Sequence, residues 1–246
     1  MAKPTIAIIG YGNFSKLIIK HLSPYFEIMV ASHQGSVKKA GLKFRQVDLK
    51  TALAQSIIIP SIPAQALEDF FVTNRQLVNP GALVIDVCSV KVKPVEILQR
   101  VLPQTVQILA THPMFGPTSA AGGLKGQPMM IYAVRLSAKK YQTIKRFLAN
   151  DLKLHIIEAT PKAHDQAMAY AQGLSHYIGR LLQAMSIPES ELTTAAYDDL
   201  LDMKRVQGGD SWELFCSIML ENPYAAAVNR QFKQAIVDLD AKLGLD

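Results

Sequence analysis

Two glycines near the start of the chain most constrain what it can fold into. Gly10-Tyr11-Gly12 closes an apolar, β-branched run at residues 5–9 and opens a helix-like stretch at 14–22. In a strand-to-helix turn of this kind the first glycine permits the tight bend and the second lets backbone approach a ligand. A small residue at the third position lets helix and strand pack closely. Ser15 stands at that third position and is small enough. A plain glycine turn is the simpler alternative. Further apolar runs at 27–31, 56–59, 83–87, 106–110, 129–134 and 154–157 alternate with helix-like stretches at 64–71, 94–102 and 138–150. Strands separated by helical patterns imply βαβ units, a parallel sheet and helices on both faces. The early runs do not alternate with polar residues, as expected of strands buried on both sides.

After residue 157 the strand signal stops. Thr160-Pro161 reads as an N-cap followed by proline at the first helical position. Apolar residues at 167, 171, 174, 178, 181, 182 and 185 step by three and four, which predicts a buried helical stripe. Helical segments follow at 189–203, 210–221 and 223–243. The chain is therefore read as α/β, with a Rossmann-type domain over 1–160 and an all-α domain over 161–246.

The 246 residues, 49% hydrophobic and 19% charged, have an ordinary globular balance. No stretch approaches the roughly 20 apolar residues of a membrane span. Met1-Ala2-Lys3-Pro4 runs straight into the first strand, so neither a signal nor a transit peptide is expected. Two cysteines are too few for a disulfide framework, which suits a reducing, cytoplasmic setting. The net charge of +6 is uneven: residues 1–160 carry 19 Lys+Arg against 8 Asp+Glu, and residues 161–246 carry 7 against 12. The cations are scattered, in runs no longer than two, and do not interleave with aromatics. A small phosphate-bearing ligand explains them at least as well as nucleic acid does.

The glycine turn places Gly10, Tyr11, Gly12, Asn13 and Phe14 against a dinucleotide pyrophosphate, at the positive end of a helix. Ser61, just beyond the run at 56–59, is counted with these cofactor-binding residues. An NAD site commonly carries an acidic residue about 20 residues on, for the ribose 2′-hydroxyl. Here the second run ends in Ala31-Ser32-His33-Gln34, without a carboxylate. Ser32 can donate to a 2′-phosphate, and His33, Lys38 and Lys39 can add positive charge. NADP is therefore favoured over NAD, although Ser32 and His33 would also suit the start of a solvated loop.

Two segments put polar residues at the carboxyl ends of strands, where ligands bind in open α/β sheets. They are Asp86-Val87-Cys88-Ser89-Val90-Lys91 and Thr111-His112-Pro113-Met114-Phe115-Gly116-Pro117. A histidine at a strand end titrates near working pH and suits acid–base work. It would equally suit a structural hydrogen bond, and Ser89 an N-cap. In the helical part, Asp165, Gln172, His176 and Gly179 share a stripe distinct from the apolar one, so His176 could face a cleft. His164-Asp165 at the helix start suggests capping. Lys204-Arg205 precedes a Gly208-Gly209-Asp210 break, where an arginine could grip a carboxylate. Cys88 reads as a small buried residue, and no His/Cys/Asp/Glu group has metal-ligand spacing.

Together these segments resemble the prephenate/arogenate dehydrogenase family of tyrosine biosynthesis, especially its plant-like branch. The resemblance rests on Gly10 to Phe14, Asp86 to Lys91, Thr111 to Pro117, His164-Asp165, His176 and Arg205, in the family's order. It implies a Rossmann-type dinucleotide-binding domain followed by an all-α dimerisation domain, and a homodimer. It implies oxidative decarboxylation of a cyclohexadienol with hydride passing to a nicotinamide. His112 would accept the ring hydroxyl proton and Ser89 would orient it. Arg205 would bind a substrate carboxylate, with His176 nearby. Ser15 and Gly173 depart from the family pattern; some members carry another histidine at the latter. Prephenate and arogenate differ by a keto group against an ammonium. Residues 113–150 contain no Asp or Glu, and Thr118 stands where plant-like relatives carry an acid, so prephenate is favoured over arogenate. Asp165 or Asp210 could reverse that choice. The alternatives are a β-hydroxyacid dehydrogenase or pyrroline-carboxylate reductase relative, and a non-catalytic NADP-binding sensor.

Overall fold

The computed structural model describes residues 3–33, 35–38 and 41–245. Lys39, expected beside the ribose, lies outside them, as does Gln34. The chain divides into two compact units, Met1–Pro161 and Lys162–Asp246.

Among the described residues the first unit holds eight strands. These are β1 (Thr5–Ile9), β2 (Glu27–Ala31), β3 (Arg45–Gln46), β4 (Ile57–Pro60), β5 (Leu83–Asp86), β6 (Gln107–Pro113), β7 (Pro128–Arg135) and β8 (His155–Glu158). Its helices are α1 (Asn13–Leu22), α2 (Leu49–Leu53), α3 (Leu67–Asn74), α4 (Val92–Val101) and α5 (Ala138–Arg146). The strand order is β3-β2-β1-β4-β5-β6-β7-β8. The chain runs outward from β1 to β3, then returns to β4 on the other side of β1. That reversal between β1 and β4 opens a crevice at the carboxyl ends of the strands, the usual ligand position in doubly wound sheets. Two cores explain why the central strands read as continuous apolar runs. Ala7 and Ile9 pack with Leu53 of α2, Leu67 and Phe71 of α3 and Leu98 of α4. Ile6 and Ile8 pack with Ile19 of α1 on the other side.

Three features differ from the sequence reading. The sheet is not wholly parallel, because β6 and β7 pair antiparallel, with His112 opposite Met130. Residues 114–127 between them contain no helix, and a parallel return needs a crossover long enough to traverse the sheet. The short edge strand β3 was not expected; its two polar residues are held by pairing with Met29 and Val30. Helix α5 continues into a π-helical turn, Phe147–Asp151, which carries Phe147 edge-on against Tyr25 and Phe26.

The second unit is helical: α6 (Pro161–Met168), α7 (Ser175–Ala184), α8 (Ala195–Val206), α9 (Trp212–Leu220) and α10 (Ala225–Leu243). A π-helical segment, Ala169–Leu174, joins α6 to α7. Here the buried stripe predicted from periodicity is corrected. His164, Asp165, Ala169, Gly173, His176 and Gly179 are buried, while Leu181 and Met185 are exposed. The small and polar stripe takes the inner side on both sides of the π turn, where its glycines allow close approach and its histidines find carboxylate partners. There Gly179 lets two helices touch backbone to backbone: a Cβ on it would stand 2.9 Å from Gln207 Cβ and 3.0 Å from Met203 O. Among the described residues no helix is long and apolar enough to cross a membrane.

Candidate active site

The glycine turn forms an open cradle. Gly10 has φ +102°, and a Cβ there would run into the Ser61 carbonyl. Glycine is therefore needed for both conformation and space. The Gly10 N–H donates to Ala31 O (2.8 Å) and the Ser61 N–H to Ile9 O (2.8 Å), which ties the turn to β2 and to the end of β4. Ser15, fully buried, donates its hydroxyl to Ser61 Oγ at 2.9 Å. The serine at the third fingerprint position thus holds the helix to the neighbouring loop. Gly12 caps α1 with no side-chain hydrogen bond, a Cβ on it would meet nothing within 4 Å, and the first turn holds no acidic residue. Asn13 and Phe14 open the helix behind it. Such an N-terminus, with open space before it, is suited to an anion.

Tyr11 closes one side of the cradle. Its hydroxyl donates to Lys38 O (2.7 Å), its ring packs on Phe44 at 5.3 Å, and Lys16 Nζ sits 5.4 Å from its centroid. Ser32 is half-buried and His33 and Lys38 are exposed beyond β2. Gln46 on β3 organises this loop: its side chain accepts from Val37 N (3.2 Å) and donates to Gly35 O. The sequence reading missed Gln46 because its strand is too short to show a period.

His112 lies inside β6, 3% exposed. Behind it is a fully buried network. Lys91 pairs with Asp86, and its ammonium also donates to Thr111 O at 2.6 Å. Thr111 donates its hydroxyl to Asp86 O (2.7 Å), and Asp86 Oδ1 accepts from Cys88 N (2.9 Å). Burial, with the Asp86 charge adding to it and Lys91 opposing, pushes the Cys88 thiol well above its ordinary pKa, so the thiol is not primed as a nucleophile. Ser89, half-buried, stands two residues before Lys91 in the loop after β5. Sequence singled out Lys91 as a motif residue but gave no sign of its burial.

After β6 the loop folds on itself. Ser119 Oγ accepts from Gly116 N (2.9 Å), Ala120 N donates to Gly116 O (2.9 Å), and Gln127 donates to Ser119 O (2.8 Å). Phe115 and Leu124 anchor it against the core of β7 and α5. Thr118 is exposed at its tip.

The helical unit carries a polar set of its own. His176 meets Gln172 O through Nδ1 (2.9 Å) and Asp210 Oδ2 through Nε2 (3.0 Å). A carbonyl can only accept, so Nδ1 carries a proton. His164 and Asp165 are buried together, Nδ1 to Oδ1 at 2.7 Å, and Asn222 donates to the Asp165 carbonyl (2.9 Å). This burial goes beyond the capping role expected of them. Both carboxylates that might have answered a substrate ammonium are thus engaged by histidines. Arg205, at the end of α8, is exposed and bonds Asp202 one turn back (2.9 Å). Arg180, which the sequence reading passed over, is held more firmly. It donates to the Asp210 carbonyl and lies within 6 Å of the Trp212 and Phe215 rings. Its place four residues after His176 was the available signal. Among the described residues no three His, Cys, Asp or Glu side chains come together as metal ligands would.

Known proteins share this fold. A family model described as "Prephenate dehydrogenase, nucleotide-binding domain" matches residues 24–150, and one described as "TYRAAT1-like, C-terminal domain" matches residues 181–245. Arogenate dehydrogenase 2 of Arabidopsis thaliana is 28% identical over 89% of this chain and 64% of that protein. Arogenate dehydrogenase 1 of the same plant is 27% identical over 97% of this chain and 39% of that protein. The chain thus spans less than two thirds of the length of these curated relatives. A crystal structure of prephenate dehydrogenase from A. aeolicus, solved with hydroxyphenyl propionate and NAD+, superposes with a TM-score of 0.71. It shares 17% identity, over 100% of this chain and 94% of that one. With more than half of its length matched by the family model, the chain belongs to the prephenate dehydrogenase family.

Proposed function

We propose that this chain is a nicotinamide-dependent dehydrogenase that oxidatively decarboxylates prephenate to 4-hydroxyphenylpyruvate, with NADP as its preferred cofactor. The observation that carries the reading is the buried His112 at the carboxyl end of β6, in the same unit as an open dinucleotide cradle. The residues fit a dinucleotide: the α1 N-terminus is open, and no carboxylate follows β2 to repel a 2′-phosphate. Gly10, Tyr11, Gly12, Asn13, Phe14 and Ser61 would hold the pyrophosphate region, and Ser32, His33 and Lys38 the ribose phosphate. When bound, the nicotinamide supplies a two-electron acceptor for hydride.

In this reading His112 takes the proton of the ring 4-hydroxyl, and electron density moves from oxygen into the carbinol carbon. Hydride leaves that carbon. The carboxylate at C1 then leaves as carbon dioxide, and the bonding pair it abandons makes the ring aromatic. Ser89 orients the imidazole. Arg205 receives a substrate carboxylate; its exposed pair with Asp202 is weak and gives way at little cost. His176 and Thr118 complete the substrate contacts. Proton transfer of this kind contributes about 10²–10⁴-fold, and alignment of the reactants supplies much of the rest. The exposed apolar residues of α7 and α10, among them Leu181, Val237, Leu239 and Leu243, support a homodimer through the helical unit.

Arogenate is the second reading, favoured by the names of the two plant relatives. The absence of an acid over residues 113–150 argues for prephenate, because a desolvated ammonium without a partner is costly. The test is the rate of NADH or NADPH formation in all four combinations of cofactor and substrate, in wild type and in Thr118→Asp. Wild type is expected to prefer prephenate and NADP, and the variant to shift toward arogenate. A wild type that prefers arogenate by about tenfold, or 1.4 kcal/mol, overturns the substrate assignment.

A further inference from the structure

Lys91 and Asp86 form an ion pair with both side chains 0% exposed. Burying two charges is expensive, and well-packed apolar residues often serve stability as well or better. The pair therefore calls for a reason other than stability, and its contacts supply one. Strand β5 pairs with β6 from Leu83 opposite Gln107 to Asp86 opposite Ala110, where the pairing ends. One residue further along β6, the Thr111 carbonyl accepts from the Lys91 ammonium at 2.6 Å. The ammonium takes the place of the next strand N–H and extends the support of β6 by one residue. The next residue is His112. On its other side β6 is held by β7, with His112 opposite Met130. The backbone that carries the imidazole is thus clamped from both sides, by a strand on one and by a charged side chain on the other.

We propose that Lys91 is a positioning residue for His112: anchored by Asp86, it fixes the Thr111–His112 backbone and so sets the line of approach of the imidazole to its substrate. The inference rests on the reading of His112 as the base. The Thr111 hydroxyl bond to Asp86 O, 2.7 Å, adds a second tie between the same strand ends. Met at position 91 keeps the length and the apolar stem of Lys but has no donor. The brace is then lost with little change in volume.

The experiment compares Lys91→Met and the double variant Asp86→Asn/Lys91→Met with wild type, using whichever substrate and cofactor wild type turns over. The single variant leaves the Asp86 carboxylate buried and unbalanced, so it is expected to melt earlier. The double variant removes both charges and keeps an acceptor for the Cys88 N–H, so it should melt close to wild type. Misplacement by about an ångström can slow a reaction roughly 10²-fold, and the double variant is expected to lose about 10- to 100-fold in kcat. Substrate KM and cofactor Kd should stay within about threefold. This split between kcat and KM is what a merely structural lysine would not produce. A double variant with kcat within about threefold of wild type overturns the proposal. So does a parallel loss of folding, cofactor binding and activity in both variants, which would make Lys91 a support of the unit as a whole. A wild type inactive on both substrates would instead defeat the reading of the function itself.

Discussion

The two units solve the problem of burial in opposite ways. In the α/β unit the β-branched residues go inside, and alternate side chains of β1 feed two separate cores. In the helical unit the long helix turns His164, Asp165, Gly173, His176 and Gly179 inward and leaves Leu181 and Met185 in solvent. The α/β unit closes its hydrophobic core within itself. The helical unit leaves its apolar stripe uncovered, and in the proposed homodimer a second copy covers it. Periodicity thus reports which residues share a face. It does not report whether that face meets the same chain or another.

Three experiments would break or sharpen this contrast. The largest effect belongs to the α/β unit. His112→Asn should lower kcat by about 10²–10⁴-fold while NADP binding, followed by fluorescence titration, is unchanged. A variant that keeps more than roughly a tenth of wild-type turnover removes His112 from the role of base. The helical unit should answer in KM. Arg205→Ala is expected to raise substrate KM about 10- to 150-fold, the worth of a charge-assisted hydrogen bond, and to leave cofactor KM alone. If substrate KM does not move, Arg205 is a surface residue and the helical unit recognises the carboxylate with another group, Arg180 being the first to try. The smallest effect tests the uncovered stripe. A tenfold rise in protein concentration should raise Tm by about 2–4 °C if unfolding is coupled to dissociation. A Tm independent of concentration would mean that the apolar stripe needs no second copy.

How far the sequence could be read follows the same divide. Strands β1 and β2 lie where the apolar runs at 5–9 and 27–31 place them. Past its first residue each strand is wholly apolar and buried, so the run itself marks the span. Strand β6 runs three residues past the expected end at 110, because pairing with β7 carries it through His112 to Pro113. No local pattern encodes that pairing. In the helical unit α9 and α10 lie close to the expected 210–221 and 223–243, whereas α8 begins only at Ala195 against the expected 189, and the inward face of the long helix was not legible. The apolar steps show which residues share a face, but no local pattern tells that the opposite face, with Gly173, His176 and Gly179, is the one that packs inward. Lys91 was legible only as part of a motif. A lone lysine reads as solvated, and its burial depends on an aspartate five residues earlier and on a carbonyl contributed by β6.

The antiparallel pairing of β6 and β7 has an evolutionary consequence. Because these strands need no crossover helix, nothing in the packing of the sheet dictates the length of the segment at 114–127. Doubling a loop costs only about 0.6 kcal/mol in closure entropy. The ladder from Leu109 to Pro113 runs in continuous register on both strands. A lineage can therefore vary the segment that follows the histidine in the chain, apart from the anchoring Phe115 and Leu124, without disturbing the frame that holds it. In the proposed function, substrate preference can then drift on one side of His112 while the chemistry on the other side stays still.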